Sequence, residues 1–127
     1  MTDVRWRNQR GFTLLELSIA LSIATILVTL AYPSFTQSVV KAREAGLKQN
    51  LFVIRDVLDQ FRADNGNYPD TLADLVTAGY LKQMPIDPIT RSNETWQEIP
   101  DEEEGGVFDV RSGSELVSHE GTPYNQW

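Results

Sequence analysis

The feature that most constrains the fold is an apolar run of about 20 residues, from Phe12 to Ala31, that directly follows a short basic leader. A helix of this length crosses a hydrocarbon core of about 30 Å. After the carboxylate near its start, the polar residues of the run are Ser18, Ser22, Thr25 and Thr29. Such hydroxyls can donate to the carbonyls of their own helix. The run therefore predicts a membrane-spanning helix.

The leader predicts which way this helix crosses the bilayer. It carries Arg5, Arg7 and Arg10 against a single acidic residue, Asp3. Positive charge beside a membrane span favours the cytoplasmic side. The N-terminus is therefore expected to stay in the cytoplasm, and everything after Tyr32 is expected to be exported.

Glu16 is the residue in the run that needs an explanation. A carboxylate at the bilayer centre costs roughly 2.5–3.5 kcal/mol on insertion scales, and such groups usually have partners. Cleavage of the chain before Phe12 would create a free α-amino group, with a pKa of about 7.7–8.0. In a filament of identical chains, that amine could pair with Glu16 of a neighbour. The alternative is that Glu16 lies in the headgroup zone, where water solvates it.

The sequence Arg10-Gly11-Phe12-Thr13-Leu14-Leu15-Glu16-Leu17 resembles the processing site of type IV prepilins and type II secretion pseudopilins. The resemblance implies that residues 1–11 are a leader, which a prepilin peptidase removes by cutting after Gly11. It also implies N-methylation of Phe12 and an assembly role for Glu16. A competing interpretation is a signal-peptidase cut after Ala31, which would release a soluble secreted binding module.

Beyond the apolar run, the pattern predicts one long helix over residues 12–65, of which 12–32 form the transmembrane part. Pro33 removes a helical hydrogen bond, so a kink or local unwinding is expected there. Past it, apolar residues recur every three or four positions, which indicates a core-facing helix face rather than a coiled-coil seam. They are Leu47, Leu51, Ile54, Leu58 and Phe61. Gly66 is expected to end the helix in the left-handed conformation.

Residues 66–127 are short elements that predict a small exported head. Thr71 and Asp74 form a capping box for a short helix. Two strands are predicted at 95–99 and 106–110, joined by an acidic loop over 101–104 that reads as a solvated hairpin tip. The predicted fold is thus α+β. It resembles the pilin-like fold of major pseudopilins, in which a long N-terminal helix packs on a small antiparallel sheet.

The C-terminal part of the chain carries acidic residues that suit calcium, namely Asp109, Glu115 and Glu120. Major pseudopilins resemble this part and bind calcium in the loop after the sheet, so the resemblance implies calcium as a cofactor. The chain departs from their pattern, because its loop is shorter and Asn125 stands where an acidic ligand is usual. The alternative is a solvated acidic turn without metal.

Composition excludes several other functions. The chain has 11 Lys and Arg against 18 Asp and Glu, and removal of the leader leaves 8 against 17, so no nucleic acid is expected as a partner. With one histidine, His119, and no cysteine, zinc sites and Cys/His nucleophile pairs cannot be built. Phosphate-binding loops and nucleophile elbows are absent from the sequence. An enzyme is therefore not expected.

The resemblance implies a structural subunit of a pseudopilus, the major pseudopilin of a type II secretion system. The implied location is the bacterial inner membrane, crossed once, with the head in the periplasm before extraction into a filament. The implied partners are further copies of the chain, the prepilin peptidase, an inner-membrane assembly platform, minor pseudopilins and membrane lipid. The alternative within the same superfamily is a type IV pilus subunit for adhesion, motility or DNA uptake.

Overall fold

The computed structural model describes residues 11–127, which form two compact units, one up to Gln37 and one from Ser38 to Trp127. Their elements are α1 (Leu14–Asn65), α2 (Ala73–Thr77), β1 (Gln97–Pro100), β2 (Val107–Arg111) and a 3-10 turn, η1 (Tyr124–Gln126). Helix and antiparallel sheet together confirm the predicted α+β, pilin-like class. Of the predicted leader, all but Gly11 lies outside the described residues.

The bounds of α1 agree with the predicted helix to within two residues. It begins at Leu14 rather than Phe12 and ends at Asn65 as predicted. Gly66 follows with φ of 80°, and its N–H donates to the Arg62 carbonyl at 2.7 Å, which confirms the predicted glycine cap. Helical conformation continues through Pro33, so no local unwinding is found. The kink at Pro33 stays a prediction.

In the second unit, α1 turns the predicted apolar face into the core. Its buried apolar residues are Leu47, Leu51, Ile54, Val57 and Leu58, with Phe61 packed against them. The other elements of the unit contribute Leu72, Leu75, Trp96, Val107, Val110 and Tyr124. The stripe is thus a core face, as predicted. Glu44 is also buried, although it is charged, because it lies one turn before Leu47 on the same face.

The capping box before α2 is half formed. The Asp74 carboxylate accepts from the Thr71 N–H at 3.0 Å, but no side chain caps the helix in return. The connector that follows has no regular structure, and Asp87 within it is fully buried. Asp87 accepts from the Ile89 N–H at 2.8 Å and from the Ser112 hydroxyl. The bond from Ser112, which directly follows β2, fixes the connector to the end of the sheet.

The sheet consists of β1 and β2, paired antiparallel with a register irregularity between Ile99 and Pro100. Both strands lie within two residues of their predicted positions. The acidic loop between them is exposed from Glu102 to Glu104, as expected of a solvated hairpin tip. After β2, Gly113 passes so close to the Thr95 carbonyl that any Cβ would collide with it. The segment that begins here, residues 112–127, is called the tail below.

Candidate functional site

The junction before α1 is exposed and non-helical. Gly11, Phe12 and Thr13 precede the helix, and the Phe12 side chain is 89% exposed. A Cβ placed on Gly11 would meet nothing within 4 Å. The fold of the described residues therefore does not require glycine here. Cleavage after Gly11 and methylation of Phe12 stay predictions.

Thr13 is a residue that the sequence reasoning missed. Its hydroxyl oxygen accepts from the Glu16 N–H at 3.1 Å, which is the bond of an N-terminal cap. The signal was present, because Thr13-Leu14-Leu15-Glu16 has the spacing of a capping box. The cap explains why α1 begins at Leu14. It also places the Glu16 carboxylate in the first turn, where the helix dipole favours negative charge.

The hydroxyls of the apolar run are all satisfied inside α1, as predicted. Each donates at 2.8 Å to the carbonyl oxygen four residues earlier: Ser18, Ser22, Thr25 and Thr29. Glu16 is the only charged residue from Gly11 to Val40. Among residues 11–127, no side chain forms a hydrogen bond or an ion pair with its carboxylate. Glu16 is thus the one polar side chain of the run for which residues 11–127 provide no side-chain partner.

The apolar run itself has no cover in the described chain. An 18-residue stretch of α1 has a mean hydropathy of 2.2 and is 0% buried, so by length and composition this helix could cross a membrane. Its large side chains, from Leu14 to Phe35, are at least half exposed. Leaving so much contiguous apolar surface in water is unfavourable, so lipid or another protein must cover it.

The tail does not assemble the calcium site predicted from Asp109, Glu115 and Glu120. Among residues 11–127, no group of three acidic or histidine side chains is placed to hold a metal ion. Glu115 and Glu120 are exposed, whereas Asp109 is held in an ion pair with Arg55 at 2.7 Å. A divalent ion on the same carboxylate would lie beside the guanidinium, and the two cations would repel. The three carboxylates therefore do not fit a shared calcium site.

Glu44 fastens the tail to α1 in the second unit. One carboxylate oxygen accepts from the His119 N–H and from the Tyr124 hydroxyl, both at 2.8 Å. The bond from the His119 N–H holds the pKa of Glu44 below its ordinary value of 4.5 despite its burial. Burial, and then the bond to Glu44, raise the pKa of Tyr124 to about 12. The charged carboxylate and the neutral phenol thus stabilise each other.

These pKa shifts predict how stability depends on pH. Because the pKa of Glu44 is lowered by folding, its contribution is present above about pH 4.5 and is lost as the pH falls. The raised pKa of Tyr124 gives a contribution that is present below pH 10 and is lost as the pH rises toward 12. We expect Glu44→Gln to reduce the free energy of unfolding by about 1–2 kcal/mol at pH 7, since hydrogen bonds to a charged group are the stronger ones.

Denaturant unfolding of the full chain in detergent, followed by tryptophan fluorescence between pH 3 and 7, measures this effect. Glu44→Gln should lose less stability on acidification than the wild type does. Glu115→Gln is the matched control, because it removes an exposed carboxylate from the same tail. If both variants and the wild type lost stability in parallel on acidification, the assigned role of Glu44 would be wrong.

Comparison with known proteins links these features to one family. Residues 6–32 match the family model for the prokaryotic N-terminal methylation motif. The type II secretion system core protein G of Escherichia coli K12 is 32% identical over 97 residues, which are 64% of this chain and 67% of that protein. The protein of the same name from Klebsiella michiganensis is 31% identical over 101 residues, which are 67% of this chain and 71% of that protein.

A third relative gives the same result. The type II secretion system core protein G of Vibrio cholerae is 31% identical over 99 residues, which are 66% of this chain and 68% of that protein. No solved structure matches the chain. The methylation motif covers the junction and the whole apolar run from Phe12 to Ala31. The chain therefore belongs to the family of the type II secretion system core protein G.

Proposed function

We propose that this protein is the major pseudopilin of a type II secretion system, a structural subunit that polymerises through its N-terminal helix to drive secretion. The observation that carries the proposal is the uncovered apolar part of α1, with Glu16 as its only charge. Such a segment suits two environments in turn, a bilayer before assembly and a bundle of identical helices afterwards. The relatives' shared name, a core protein of a secretion system, supports a structural rather than an enzymatic role.

Before assembly, the protein waits in the bacterial inner membrane as a single-pass protein, with its head in the periplasm. The basic leader supports this orientation through the positive-inside rule, and the length and hydropathy of α1 support the span. Extraction from the bilayer then carries the helix into a periplasmic filament. The growing filament pushes folded cargo toward an outer-membrane pore.

The principal partner is another copy of the same chain. A prepilin peptidase cleaves after Gly11, and an inner-membrane assembly platform and minor pseudopilins take part in building the filament. Lipid covers the apolar run until assembly. Family membership supports these partners, and the acidic balance of the chain supports the absence of nucleic acid among them.

The two alternatives have less support. A type IV pilus subunit would share the methylation motif, but the relatives at 31–32% identity carry the name of a type II secretion protein. A soluble module that begins at Tyr32 would discard nearly all of the region matched by the methylation motif, residues 6–32. It would also discard Glu16, together with Thr13, Ser18 and their hydrogen bonds.

The mature N-terminus separates the secreted module from the two filament subunits. We expect intact-mass and peptide mass spectrometry of the membrane-purified protein to find N-methylated Phe12 as its first residue. A chain that begins at Tyr32 would instead establish the secreted module.

Deletion of the gene in its own bacterium separates secretion from a pilus function. Folded proteins that are normally released should accumulate in the periplasm, while surface pili should persist. A complementing copy of the wild-type chain is the control. Loss of surface pili with normal protein release would contradict the pseudopilin proposal and establish the pilus alternative.

A further inference from the structure

Arg55 joins three separate segments of the second unit. Its Nε donates to the Asp109 carboxylate at 2.7 Å, and its Nη2 donates to the main-chain oxygens of Val110 at 3.0 Å and Trp127 at 2.8 Å. One guanidinium on α1 thus binds the end of β2 and the end of the tail together.

The neighbouring side chains on α1 strengthen the same link. Lys48 lies two turns before Arg55 on the same face, and its ammonium sits 4.8 Å from the centre of the Trp127 ring. Trp127 in turn contacts Tyr124 edge to face, with ring centres 5.1 Å apart. Glu44, one turn before Lys48, holds Tyr124 and the His119 N–H. The tail therefore rests along a single face of α1.

We propose that the guanidinium of Arg55 acts as a built-in cation that fixes the tail to β2 and α1, so that the head keeps its fold without calcium. Arginine suits this position because its planar fork can donate to several oxygens in fixed directions and stays charged at every physiological pH. The three oxygens that it binds are one of a side-chain carboxylate and two of the main chain, the types that calcium also takes. With Arg55 bound to them, they are no longer free for a metal.

The test uses the full chain in detergent micelles, unfolded by heat in millimolar calcium or in chelator. Tryptophan fluorescence gives the midpoint, and hydrogen exchange with mass spectrometry reports on residues 112–127. We expect the wild type to melt within about 2 °C of the same temperature in both solutions. Arg55→Ala should melt about 5–15 °C lower in both, and the amides of its tail should exchange at least about tenfold faster.

Two further variants distinguish the guanidinium from charge alone. Arg55→Lys keeps the charge but has no planar fork. We therefore expect its melting midpoint to fall by more than half of the decrease seen for Arg55→Ala. Arg43→Ala removes an exposed arginine from the same helix and should melt like the wild type. The proposal is overturned if calcium raises the wild-type midpoint by about 5 °C or more, or if Arg55→Lys matches the wild type. These two outcomes decide the matter even if Arg55→Ala fails to fold.

Discussion

The Gly11→Val variant is expected to accumulate as the uncleaved precursor in the membrane and to form no filaments. Gly11 is exposed and non-helical, and a Cβ placed on it meets nothing within 4 Å. The substitution should therefore leave the fold intact. It should act on recognition by the peptidase, because valine adds a β-branched side chain where glycine has none. Without cleavage, no free amine forms at Phe12, so the intersubunit pair that we propose for Glu16 should not form.

Cleavage of Gly11→Val should slow by at least about 100-fold, which corresponds to about 2.7 kcal/mol of lost transition-state stabilisation. An immunoblot resolves the precursor from the shorter mature chain, and electron microscopy counts filaments. Gln9→Val, which places the same side chain two residues earlier in the leader, is the matched control and should be processed normally. Normal processing of Gly11→Val would refute the prepilin interpretation.

Local patterns in the sequence predicted the elements of the fold. The apolar spacing from Leu47 to Leu58 identified the core face of α1, because a helix places residues three and four apart on one side. Gly66 marked the helix end, because glycine adopts the left-handed conformation of a helix cap at little cost, and its φ is 80°. These signals involve neighbours along the chain, so they can be read without knowing which distant segments meet.

The contacts of the tail could not be predicted in the same way. Glu44 meets Tyr124 across 80 positions of sequence, and Arg55 meets Trp127 across 72. No local periodicity identifies such pairs, and a charged residue on an amphipathic helix is ordinarily solvated. Asp109 was expected to bind calcium, and its ion pair with Arg55, 54 residues earlier, had no local signal. By contrast, the Thr13 cap is local and could have been recognised.

Glu16→Leu is expected to be cleaved and inserted normally but to fail in assembly. Insertion should even become more favourable, because a carboxylate in the bilayer costs roughly 2.5–3.5 kcal/mol. The Thr13 cap involves the main-chain N–H of Glu16, so the substitution leaves that bond in place. Only the pairing of the carboxylate with a neighbour's amine is lost. Removal of one partner from a desolvated ion pair costs about 3–5 kcal/mol, because the other charge stays buried and unpaired.

A loss of that size at every subunit contact lowers the equilibrium constant for adding a subunit to the filament by at least about 100-fold, since 1.4 kcal/mol corresponds to a factor of ten. Shearing followed by electron microscopy should thus find no filaments, although the mature chain is present in the membrane at the wild-type level. Glu16→Asp keeps the charge on a shorter side chain and should recover part of the yield, whereas Glu115→Leu makes the same chemical change on the exposed tail and should assemble fully. Wild-type filament yield from Glu16→Leu would show that the carboxylate is merely tolerated in the headgroup zone, and the amine of Phe12 would then need another partner.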